Sequence, residues 1–97
     1  MTGHLDAAAE TATRGAQLLD KRVPGWAQRI NLPALDMNSC NDCVLGQLYG
    51  DYGVGVDELG LTQPALIGFD LGAGNCDYPA LDAAWTTEIM ARREATR

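Results

Sequence analysis

At both ends of this chain apolar residues return every three or four positions, and nowhere do they alternate at two. Leu5, Ala9, Ala12, Ala16, Leu19 and Val23 line one face of a 3.6-residue helix, and Tyr78, Leu81, Trp85 and Ile89 line another. A half-buried strand needs sustained period-2 alternation, and none is present. The pattern predicts an all-α fold in one small domain, residues 1–97. Two longer terminal helices pack around a central one, joined by a glycine-rich segment of short helical turns.

Proline and glycine divide the interior. Helix one is expected over 5–23, with Gly15 as a weak point that marks a close approach. Pro24 cannot continue that helix but can open another, so a short second helix is expected over 24–30. Trp26 and Ile30 form its inner face, and residues 31–38 connect, with Leu32, Leu35 and Met37 tucked inward. Ser39 with Asp42 three residues on reads as a helix start, giving a central helix from about Cys40 to Tyr49 that ends at Gly50 or Gly53. That helix is apolar around most of its girth. Seven of the 11 glycines fall between 50 and 74. Short turns are expected over 56–59, closed by Gly60, and over 64–67, capped by Thr62 and closed by Gly68. Asp77 then caps the last helix, with Pro79 in its first turn and Arg92, Arg93 and Arg97 at its negative end.

The size of the core follows from composition. The chain has 97 residues, 46% of them apolar, but 14 of those are alanine. A chain of this length buries roughly 60–65% of its unfolded surface, so the core is small. The longest apolar run is far short of the ~20 residues of a membrane span. No basic segment followed by an apolar one marks a secretory leader. The three cysteines, an odd number, make a poor disulfide framework. Reduced thiols in a cytosol are therefore expected.

Charge is the most informative feature. The formal net charge is −6, which argues against direct nucleic-acid binding through phosphates. Between Ile30 and Ala91 there is no lysine, arginine or histidine. The same span holds Asp36, Asp42, Asp51, Asp57, Glu58, Asp70, Asp77, Asp82 and Glu88. These acids either cap helices and keep a glycine-rich region soluble, or form a face that attracts a basic partner over long range. The second alternative places the face on Asp51, Tyr52, Asp57, Glu58 and Asp70, with Tyr52 the aromatic expected to be exposed as an anchor.

Chemistry is poorly supplied. Cys40-Asn-Asp-Cys43 is one C-x-x-C on a helical face, which Cys76 with His4 or a carboxylate could extend to a zinc site; two such pairs would be a far stronger signal. Packed thiols are the competing reading. A redox role lacks the βαβ surroundings of a thioredoxin-like motif. The run from Asp36 to Gln47 fails the calcium-loop pattern at its third, glycine and twelfth positions. Gly53-Val-Gly55 and Gly72-Ala-Gly74 lack the further glycine or lysine of a phosphate loop. Ser39 is the only serine and His4 the only histidine, so no catalytic residues and no cofactor are expected, and the chain reads as a non-enzyme.

Val23-Pro-Gly-Trp26, Leu35-Asp36-Met37, Cys43-Val-Leu-Gly-Gln-Leu-Tyr-Gly50, Gly68-Phe69 and the stripe Tyr78, Leu81, Trp85, Ile89 cover nearly the whole chain. Together they resemble a group of small proteins of actinobacteria and their phages, with the run 43–50 as its most specific part. No function is assigned to that group, so the resemblance implies no site residues. It implies a phage-type accessory protein that binds a host or phage protein. The expected function is thus a small acidic binding protein acting by protein–protein contact. The alternatives are a regulatory module stabilised by metal on Cys40, Cys43 and Cys76, and an oligomer-forming structural protein with Trp26 and Trp85 partly at a subunit interface.

Overall fold

A computed structural model describes residues 7–62 and 78–95. Every regular element among them is helical: α1 (Ala7–Arg22), α2 (Trp26–Arg29), a 3-10 turn at Leu32–Ala34, α3 (Val44–Tyr49), α4 (Tyr52–Leu59) and α5 (Tyr78–Ala95). The all-α reading holds. None of the described helices is long and apolar enough to cross a membrane.

The two long helices meet through the stripes their periodicity lays down. Ala12, Ala16 and Leu19 of α1 and Leu81, Trp85 and Ile89 of α5 are fully buried, and α1 packs against α5. Ala12 and Ala16 of α1 belong to the same core cluster as Trp85. Gly15 is buried on the same helix, where it removes a side chain at the cost of some backbone entropy. Trp26 from α2 meets Trp85 edge to face, with ring centroids 5.7 Å apart and planes at 85°, a favoured arrangement of two quadrupoles. Both indoles are buried within the single chain. Neither faces outward, so the expectation that they lie partly at a subunit interface is overturned.

The short helices depart from the sequence reading at their starts. The second begins at Trp26, not Pro24, because Gly25 adopts a left-handed conformation with φ 81°. That reverses the chain before the next turn can form. The central helix begins at Val44, four residues later than expected. The Ser39 hydroxyl does accept backbone N–H groups, from Asn41 at 3.3 Å and Asp42 at 3.1 Å, but it closes a tight turn. Cys43 then extends, with ψ 174°, and its sulfur takes the helix cap by accepting from the Gly46 N–H at 3.2 Å. The turn folds back over Gly46, where a Cβ would lie 2.6 Å from the Asn41 carbonyl carbon. Only glycine fits there.

Gly50, left-handed at φ 91°, ends α3 as expected. Asp51 immediately caps the next helix, its carboxylate accepting from Gly53 N–H at 2.8 Å. The single turn expected over 56–59 is therefore two turns long, closed by Gly60 at φ 67°. α3 packs on α4, and α2 touches both α3 and α5. A Cβ on Gly55 would lie 2.8 Å from the Leu45 Cβ, so Gly55 sets how closely α3 and α4 approach. The helical turn expected over 64–67 and the Asp77 cap fall outside the described residues.

Candidate interaction surface

The disposition of the arginines decides how much of the central negative charge is neutralised. Three of them serve helix ends instead. Arg22 donates to the Leu59 carbonyl at the end of α4 at 3.4 Å, and Arg29 to the Leu48 carbonyl near the end of α3 at 3.3 Å. Arg93 donates from Nε to the Ala27 carbonyl at 3.0 Å and from Nη2 to that of Ile30, at the end of α2. Helix C-termini leave carbonyls unpaired and carry partial negative charge, so a guanidinium brought from elsewhere in the chain satisfies both.

Arg92 does form ion pairs, with Asp20 at 2.9 Å and Glu88 at 2.7 Å, and stacks 5.7 Å from the centroid of Trp26. Arg14 pairs loosely with Glu10 at 3.9 Å on the exposed side of α1, a contact worth little. Glu88 is thus the one central acid in an ion pair among the described residues. Asp36, Asp42, Asp51, Asp57, Glu58 and Asp82 make none. Several hold backbone N–H groups: Asp36 that of Asn38 at 2.9 Å, Asp51 that of Gly53, and Asp82 that of Met37 at 2.6 Å. Such bonds order the loops and leave the negative charge in place.

On α4 the acids share a face. Val54, Asp57 and Glu58 stand at i, i+3 and i+4, so their side chains lie along one side, and Asp51 caps the N-terminus of the same helix. Asp57 and Glu58 are exposed, and Val54 between them and Asp51 is 46% exposed. Tyr52 does not join them. It is half-buried and packs against the core on the side of Val56, because Asp51 makes residue 52 the first of a helix and not part of a loop. Asp70 lies outside the described residues.

The cysteines separate. Cys40 is exposed in the turn and Cys43 buried as the α3 cap, so they do not share a helical face as the C-x-x-C spacing suggests. Burial pushes the Cys43 thiol above its ordinary pKa, against the pull of the N–H groups of Gly46 and Leu45. A buried, neutral thiol of this kind is a poor nucleophile. Cys76 and His4 lie outside the described residues. Among the described ones no three metal-ligating side chains gather.

A pocket of about 160 Å³ is lined by Met37, Asn38, Ser39, Cys40, Cys43, Tyr52 and Tyr78. A second, of about 180 Å³, lies over Trp26 and the Asp20–Arg92 pair. The first gives no signal in sequence, because it is assembled from the 37–43 turn and the first residues of two helices far apart in the chain.

Comparison with known proteins finds no match: no family model, no curated protein and no solved structure is significantly similar to this chain.

Proposed function

We propose that this is a small acidic, non-catalytic protein that works by contact with a basic protein partner through the outward face of α4. Asp51, Asp57 and Glu58 supply the negative potential and Val54 an apolar contact between them. One observation carries the reading. Asp57 and Glu58 occupy the last turn of α4, the negative pole, where a carboxylate costs a helix roughly 0.3–1 kcal/mol. Residues held against local preference mark positions kept for function. Arg22 sits at the same helix end on the Leu59 carbonyl and offsets part of this charge, but among the described residues no cation pairs with either acid, so both carboxylates stay open to a partner and steer its approach. The resemblance read from the sequence motifs points, by analogy, to a host factor in the cytosol as that partner.

Asp57→Asn/Glu58→Gln tests it. In capture from an actinobacterial lysate, the wild-type protein is expected to retain a stoichiometric basic partner at ~50 mM salt and to lose it by ~500 mM, where screening is strong. The variant should not retain that partner at either salt concentration. Equal retention by the variant, or no partner at low salt, overturns the reading.

A further inference from the structure

We infer that the pocket beside Cys40 receives one aromatic side chain from a basic segment of that partner, flanked on the segment by lysine or arginine. The inference rests on the basic partner proposed above and adds the part of it that enters this protein. Buried Met37 and Cys43 and the half-buried rings of Tyr52 and Tyr78 line the pocket. Its volume, about 160 Å³, is on the scale of one aromatic ring, since a closed cavity of roughly 150 Å³ takes up a benzene-sized group, and Asn38 and Ser39 make part of its lining polar. Three sulfurs, of Met37, Cys40 and Cys43, and two rings suit an aromatic guest in particular.

The charge around the pocket selects the flanks. Asp36 accepts from the N–H of Asn38, and Asp82 from that of Met37. Asp42 donates its own N–H to the Ser39 hydroxyl at 3.1 Å. Asp51 precedes Tyr52, whose N–H reaches the Cys40 carbonyl at 2.8 Å. Two carboxylates, of Asp36 and Asp82, thus bond the backbone of the lining itself, while Asp42 and Asp51 are the sequence neighbours of the lining residues Cys43 and Tyr52, and none of the four is in an ion pair among the described residues. Burial chiefly raises the pKa of Asp82, and the nearby Asp36 carboxylate adds to the rise. An apolar guest bearing cations on either side meets complementary potential.

Cys40 reports occupancy, because its thiol is exposed and lines the pocket. Iodoacetamide labelling of the full chain is followed by digestion before aspartate, which puts Cys40, Cys43 and Cys76 in separate fragments. Millimolar Lys-Arg-Phe-Arg-Lys peptide is expected to slow Cys40 labelling at least threefold, and Lys-Arg-Ala-Arg-Lys to leave it within a factor of 1.5. Equal protection by both peptides, or backbone amide shifts on α4 without protection, overturns the pocket and leaves the acidic face standing. Neither protection nor shifts overturns both. A Cys40 unreactive without peptide means the chain itself fills the site, and protection that rises with protein concentration means a second copy does. Either result overturns the inference.

Discussion

Arg92 grips both carboxylate oxygens of Asp20 across 72 residues of sequence, Nε to Oδ1 and Nη2 to Oδ2, each at 2.9 Å. Asp20 Oδ1 also accepts from the Trp26 indole N–H at 3.0 Å, and the guanidinium lies over that indole. Glu88 extends the cluster, accepting from Arg92 and from the Thr13 hydroxyl at 2.6 Å. One fork-shaped cation therefore ties α1, α2 and α5 together around the indole of Trp26.

Asp20 and Asp82 should respond to acid in opposite senses. The hydrogen bond from Arg92 holds the Asp20 carboxyl below its ordinary pKa, while burial raises that of Asp82. A depressed acid gives stability that is present above the unfolded pKa of ~3.9 and is lost as pH falls through the folded value. Asp82 does the reverse, its contribution being present at low pH and lost as pH rises through its raised pKa. Asp20→Asn should therefore cost about 1 kcal/mol at pH 7, allowing for the screening of a half-exposed carboxylate, and less at pH 2. Asp82→Asn keeps an acceptor for Met37 and should be neutral or stabilising at pH 7. Urea unfolding at the two pH values checks both.

Gly46→Ala should be among the most damaging single-methyl changes in the chain. The added Cβ would meet Asn41 backbone atoms at 2.6 and 2.7 Å, and backbone cannot rotate away. A loss of about 2–3 kcal/mol is expected. Gly55→Ala, against the side chain of Leu45, should cost less because a side chain yields. Thermal melts of the two variants give the order, which a more stable Gly46→Ala would reverse.

The thiol cap on α3 predicts a rank order. Cys43→Ser retains a capping oxygen, while Cys43→Ala leaves the Gly46 N–H unpaired and should be less stable than the serine variant by about 1 kcal/mol. In the native protein Cys40 should react with iodoacetamide at least roughly tenfold faster than Cys43. Comparable rates would show that the α3 N-terminus opens readily.

Removing charge at the end of α4 should stabilise the fold. Asp57→Asn/Glu58→Gln relieves repulsion with the helix pole and is expected to raise stability by about 0.5–1 kcal/mol. Denaturant midpoints measure it. A destabilised variant would mean that the two acids serve the fold, and the proposed function would lose its chief support.

The long helices and their buried stripes were legible because periodicity and burial report the same geometry: Leu81, Trp85 and Ile89 could only face inward from a helix. The glycine ends of α3 and α4 were legible too, since a left-handed residue is a local requirement. The central helix start was not. Ser39 satisfies a local capping rule, and only the return of the 40–41 turn onto Gly46 shows that the cap belongs to Cys43. Tyr52 was misplaced for a related reason: glycines at 53 and 55 imitate a loop, and the Asp51 cap on Gly53 together with the packing of Gly55 against Leu45 makes them helix.

For the candidate site, the chain by itself determined the excess of acids between its cationic ends, because net charge over a segment is a sum over residue types and needs no coordinates. Which of those charges remain unneutralised was decided only by tertiary structure. Helix ends unpaired within their own segments draw guanidinium groups from distant positions, and Arg22, Arg29 and Arg93 are thereby committed to carbonyls while Asp57 and Glu58 are left facing solvent.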